Sequence, residues 1–439
     1  MSNVAQHLAQ YALKCADIMI PKAGTDLTKW AVVACDQYTS EPEYWEQAAE
    51  YVKDAPSTLN LIYPEVYLEE EQPQKRIQSI NATMQEYMKK KIFTTYPNCF
   101  FLVHRTTKEN SQGRWGLLVT LDLEQYDYAK DSRTLIRATE GTILSRIPPR
   151  KEIRRNAPLE VPHILVLIND EKRSVIEPLT KKINALQQAY DTPLMANGGH
   201  LSAWVVDKEE DLSAIALAVE AMYQKLDPSN PLLFAMGDGN HSLATAKSCW
   251  MDIRKGLSEE EMQQHPSRYA LVELENIFDP GLEFEPIHRV LFNLDKKTFF
   301  HEIGKVCLES TSTPVSNLKE VESLINLQDG KQKFGYCDET GYYVVAMAEP
   351  KAYIAAGTLQ LVIDSLLEQK KATVDYIHGV EVTANLGKKK GNIALILPDV
   401  SKTTFFDTII SDNALPRKTF SMGEAHEKRF YMEARRIQN

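Results

Sequence analysis

The sequence contains no apolar run near the ~18 residues that span a bilayer, which excludes a transmembrane helix. Its start, Met1 to Cys15, lacks a basic flank followed by a continuous apolar stretch, so a cytoplasmic protein is expected rather than a secreted one. The six cysteines (Cys15, Cys35, Cys99, Cys249, Cys307, Cys337) include no CxxC pair, which leaves no zinc knuckle and no disulfide framework to build from local spacing. Buried or half-buried free thiols are expected instead. There is no HExxH or HxH spacing for a histidine metal site, and no GxSxG elbow for a serine hydrolase. Walker A and GxGxxG glycine loops are also missing. Positive charge is in deficit: 50 Lys and Arg against 60 Asp and Glu give a net charge of −10. That balance opposes a protein whose main task is gripping nucleic acid through its phosphates, although it leaves room for a local basic pocket around a small anion.

What is present is an ordinary globular composition, with 43% hydrophobic, 25% charged and 9% aromatic residues over 439 positions. At roughly 150 residues per domain the chain holds two or three domains. KWAVVACD (29–36) reads as a buried strand that delivers Asp36 to a loop, and residues 65–93 carry the three- and four-residue apolar spacing of an amphipathic helix. Residues 99–106 and 114–123 form an expected hairpin. They are followed by a strand at 163–170, a helix at 172–190, a strand at 200–207, a helix at 211–226 and a strand at 232–241 that runs into a helix. A second region carries helices near 296–308 and 358–369, a hairpin at 333–348 and a strand at 391–399, with NLGKKKGN (385–392) read as a hairpin turn. Alternating strands and helices make the expected fold α+β, or mixed α/β. The division is drawn at 1–290 and 291–439.

Three segments carry chemistry. In LLFAMGDGNHSLATAK an apolar strand ends in Gly237-Asp238-Gly239-Asn240-His241, and a helix starts near Ser242. Glycines let a ligand approach the backbone, and a helix start offers N–H groups and a positive dipole end to an anion. A capped tight turn, with Asp238 and Ser242 satisfying backbone donors, accounts for the same pattern. The second segment, 137–155, places Arg137, Arg146, Arg150, Arg154 and Arg155, with Arg133 just before, around a single Glu140. Guanidinium forks hold phosphate or carboxylate, and a carboxylate among them can take a proton from a hydroxyl; a solvated charged face is the alternative. The third segment, 415–436, gathers Arg417, Lys418, His426, Lys428, Arg429, Arg435 and Arg436. Phe420, Phe430, Tyr431 and Met432 interrupt its charge, so the tail is expected to fold back on the body.

The strings MGDGNHSLATAK, ALVELENIFDPGLEFEPIHRVLF, YIHG and LPRKTFSMGEAHEKRF, in that order, resemble the successive motifs of the bacterial family catalogued as domain of unknown function 1015. The resemblance covers nearly the whole chain, from WAVVACDQYTSEPEYW to the tail. Within that family the Gly-Asp-x-His turn is similar to the signature loop of the ParB/sulfiredoxin-like fold, which includes free serine kinases. The resemblance therefore implies a ParB/sulfiredoxin-like core with insertions in 1–290 and an α/β region in 291–439. Asn240 and Ser242 stand where many members carry a second histidine and an arginine, which leaves Asp238 and His241 as the positions carried over.

The function implied is a small-molecule kinase that passes a phosphoryl group from ADP or ATP, with Mg2+, to free serine or a similar hydroxy compound. Glu140 would be the base, and Asp238 and His241 would hold phosphate or metal. Gly237, Gly239, Asn240, Ser242, Arg137, Arg150, Arg417 and Lys418 would bind phosphate or nucleotide. Two alternatives stand beside it: a ParB-like protein that binds or cleaves nucleic acid, which the net charge opposes, and a non-catalytic nucleotide or anion sensor.

Overall fold

The computed structural model describes residues 3–438 and separates into two compact units. The first runs to Leu282 and resumes at Glu424, and the second is Glu283–Gly423. The boundary thus falls near 282 where 290 is expected, and the tail does not stay with the C-terminal region. By its contacts the segment from Glu424 onward belongs to the first unit.

The first unit is built on an eleven-stranded mixed sheet. Its central path places Gln187–Pro193, His200–Val206, Phe93–Thr106, Arg114–Asp122, Tyr269–Asn276, Leu165–Ile168, Phe234–Asp238, Ile136–Arg137 and Tyr126–Asp127 side by side. Pairing is antiparallel except where 269–276 meets 165–168 and where 136–137 meets 234–238 and 126–127. The two-residue period of the strands sends side chains alternately to the two faces. Phe100, Leu102, Leu117 and Val119 join the helices Glu209–Tyr223 and Asn240–Ile253 through Ile215, Val219, Leu243 and Trp250. Phe101, Val103 and Leu118 join Trp30, Trp45, Ile80 and Met84 on the other face. Both faces are covered, which is why these strands read as continuous apolar runs.

The tail completes this unit. Phe430–Tyr431 pairs with Val32–Val33, Arg435–Arg436 pairs with Leu159–Glu160, and Phe430, Tyr431 and Met432 are buried. Its aromatic residues are core, in accord with their interruption of the charged run.

The second unit is a six-stranded antiparallel sheet in the order Glu309–Val315, Gly341–Ala348, Gln332–Asp338, Asn392–Ile396, His288–Phe292, Thr373–Ile377. Helices Lys296–Ile303 and Ala355–Glu368 cover one face through Phe299, Leu359 and Ile363. Val321 and Ala384, from helices Leu318–Ile325 and Val380–Gly387, pack on the other. The whole molecule is thus mixed α/β.

Several elements differ from expectation. The helix expected at 172–190 is replaced by two short helical turns and a strand at Gln187–Pro193. Tyr190 and Thr192 are buried opposite Ala203 and Leu201, a two-residue alternation that hairpin pairing with 200–206 rewards more than any isolated helix would. The amphipathic helix at 65–93 is Pro73–Lys89, started by the proline at its first turn. Within 385–392 the expected hairpin turn is the end of the helix Val380–Gly387 and its link to the strand at 392. No cysteine forms a disulfide, and four of the six are buried. No helix of the described residues is long and apolar enough to cross a membrane.

Candidate functional site

The Phe234–Asp238 strand lies inside the sheet, and its register against Leu165–Ile168 shifts between Met236 and Asp238. Gly237 occupies this irregularity, which re-aims the residue after it. Gly239 then turns left-handed (φ +79°) at the cap of the helix Asn240–Ile253. A Cβ at Gly239 would stand 3.1 Å from Ile164 Cγ1 and 3.2 Å from Ile164 Cα. The Gly239 N–H donates to Asp238 Oδ1 at 2.8 Å, which fixes the carboxylate at the helix start. The glycines therefore serve a tight turn, and the same turn presents Asp238 beside the positive end of a helix.

The segment that follows the Ile136–Arg137 strand is fastened to the first turn of this helix. Thr139 N–H donates to Asn240 Oδ1 at 3.2 Å, and Ile143 N–H donates to His241 Nε2 at 3.3 Å. Glu140 sits between the two attachments and is half-buried. Because Nε2 accepts, the neutral His241 ring carries its hydrogen on Nδ1. Lys428 from the tail places Nζ 3.4 Å from Asp238 Oδ2. Asp238, Asn240, His241 and Lys428 thus share one neighbourhood, with Ser242 in the first helical turn and Glu140 on the attached segment.

The arginines divide differently. Arg137 is buried (1% exposed), donates to the carbonyls of Ser132 and Pro231, and is held by the fold rather than presented to solvent. Burial lowers its guanidinium pKa to about 10. Arg150 donates through Nε to Glu65 Oε1 at 2.9 Å and through Nη1 to the Arg146 carbonyl. Arg154 pairs with Glu160, and Arg155 with Glu152. Arg417 and Lys418 belong to the second unit, where the Arg417 carbonyl accepts from Arg289 and Lys418 stands over the Tyr376 ring. The tail cation at Asp238 is Lys428.

Sequence reasoning passed over a polar cluster one residue from the glycine turn. His163 precedes Ile164, the residue against which Gly239 packs. Its Nδ1 lies 2.9 Å from the Tyr431 hydroxyl, and its Nε2 lies 3.9 Å from Asp36 Oδ2. The Tyr431 oxygen also accepts the Cys35 N–H at 3.1 Å, so the phenol is held between Cys35 and His163. Burial raises the Glu65 carboxyl above its ordinary value against the pull of Arg150. Burial also raises the Cys35 thiol, which makes it a poor nucleophile. The signal for this cluster was available: HILVLIND begins, and WAVVACD ends, at polar residues on the same end of buried strands.

A carboxylate, an imidazole and an ammonium thus stand at the start of the helix.

A family model described as "Protein of unknown function (DUF1015)" matches residues 19–368. No curated protein matches the sequence. Solved structures similar to this one include a conserved hypothetical protein from Pyrococcus furiosus, at 9% identity over 73% of this chain and 95% of that one, with a TM-score of 0.34. A free serine kinase in complex with AMP matches at 9% identity over 73% and 91%, with a TM-score of 0.36. SbnI with a C-terminal truncation, from Staphylococcus aureus, matches at 9% identity over 69% and 81%, with a TM-score of 0.35.

Proposed function

The chain belongs to the DUF1015 family of proteins of unknown function, and on that footing we propose that it is a small-molecule kinase transferring a phosphoryl group from ADP or ATP to free serine or a similar hydroxy compound. The observation that carries the reading is the double attachment of the Glu140 segment to Asn240 and His241, beside an Asp238 already paired with Lys428. It supports the reading because phosphoryl transfer needs a proton acceptor, donors for phosphate oxygens and a cation, and these residues are of those types.

In this reading the Glu140 carboxylate accepts the proton of the attacking hydroxyl, while the helix start and His241 Nδ1–H receive phosphate oxygens. Asp238 would hold Mg2+, which neutralises phosphate charge when bound. Lys428 stabilises negative charge that develops near Asp238. Arg150, at Glu65, stands with the Asp36–His163 group and would meet the ligand only by giving up part of that pairing.

Glu140→Gln separates binding from chemistry, because the amide keeps the shape and loses the base. Turnover should fall by roughly 10²- to 10⁴-fold, with nucleotide affinity by calorimetry changed less than about threefold. Equal turnover in variant and parent would remove Glu140 from the reaction.

A further inference from the structure

Elsewhere in the first unit, a cavity of about 430 Å³ opens between the strands around Lys14–Met19, the residues 264–269 and the tail strand Arg435–Arg436. None of the residues of the Asp238 neighbourhood lines it. Its volume falls within the range of small-metabolite sites.

Lys14, Arg435 and Arg436 line the cavity and Arg268 stands near, and two of these four cations are already neutralised. Arg268 is paired with Asp122 at 2.6 Å, and Arg435 with Glu160 at 2.7 Å. Lys14 is not among them. Its ammonium lies 4.2 Å from the centre of the Tyr269 ring, and no carboxylate of the described residues is within ion-pair distance. Partial burial, then Arg435 and Arg268, lower the Lys14 pKa, and Asp122 raises it. Arg436 is exposed on the cavity wall, where Asn98 and Thr120 also stand. The one acidic lining residue, Asp17, has its Oδ1 engaged by the Asn98 N–H at 2.9 Å.

A half-buried ammonium with no carboxylate of the described residues in ion-pair range, in a cavity that the exposed Arg436 also lines, favours an anion. We propose that this cavity is a second ligand site, for a small organic oxyanion whose carboxylate or phosphate is received by Lys14 and Arg436.

The test is protection of Lys14 from acylation by an N-hydroxysuccinimide ester, read by mass spectrometry of the full chain, with no anion, with inorganic phosphate and with succinate. At least one anion should reduce Lys14 labelling fivefold or more while leaving Lys22 unchanged. Phosphate alone would indicate a phosphorylated ligand, and succinate alone a carboxylate. Arg436→Gln should weaken the protection about threefold, and His241→Ala should leave it unaltered, which separates this site from the nucleotide reading. Lys14 labelled equally under all three conditions, or in none, overturns the proposal, as does protection that His241→Ala abolishes.

Discussion

Lys428 places its ammonium 3.4 Å from the carboxylate of Asp238, across 190 residues of sequence. The C-terminal tail thereby brings a cation to the turn that ends a central strand. Both groups are partly buried, at 12% and 27% exposed. Lys428→Met keeps the length of the side chain and removes the charge. Stability should change by less than about 1 kcal/mol, as for ion pairs that water still reaches. Nucleotide affinity, measured by calorimetry, should fall about tenfold. Unaltered affinity would show that the pair is only a fastening.

Gly239→Ala tests the turn itself. A left-handed residue with a Cβ 3.1 Å from Ile164 is strained by conformation and by contact together. The expected loss is about 1–2 kcal/mol in urea unfolding, with the Asp238 carboxylate displaced and turnover reduced further than stability alone explains.

The tail is held by a buried charge network. Arg429 donates to Glu273 at 2.7 Å and to Glu433 at 2.8 Å, and all three are at most 4% exposed. Arg429→Met would leave two carboxylates without their cation in the interior, at a cost of about 3–5 kcal/mol. Arg429→Lys should recover part of this. Denaturant unfolding followed by tryptophan fluorescence checks both, since Trp30 donates to the carbonyl of Met432 in the same tail.

The second unit carries an acid-sensitive histidine. His288 is buried, accepts the Leu397 N–H at Nδ1, and is held near pKa 4 by burial, Arg289 and His378. A value depressed below the ordinary 6.5 means that the unfolded chain binds more protons between the two. Its stabilising contribution is therefore complete above about pH 6.5 and lost as pH falls toward 4, by roughly 3 kcal/mol. His288→Asn, which keeps an acceptor without a titrating ring, should flatten that part of the stability profile.

Much of the architecture was legible because its cause is local. The strands at 114–122, 200–206 and 332–348 announce themselves as apolar or alternating runs, and the Gly-Asp-Gly turn marks the strand-to-helix junction. What escaped depends on partners distant in sequence. Gln187–Pro193 is a strand because 200–206 pairs with it. Arg137 looks from its neighbours like an anion clamp, yet it is buried and two of its guanidinium nitrogens donate to the carbonyls of Ser132 and Pro231. His163 and Tyr431, 268 residues apart, meet only once the tail has folded back. A basic tail was expected, but which of its cations reaches Asp238 is decided by pairing of Phe430–Tyr431 with Val32–Val33.

The most direct test of the kinase reading is ³¹P NMR of the purified full chain with Mg2+, ADP or ATP and a panel of hydroxy amino acids that includes L-serine. The account predicts a new phosphomonoester signal that grows as nucleotide is consumed and is missing with Glu140→Gln. Bound nucleotide that is never consumed, with no phosphomonoester from any acceptor, would contradict it.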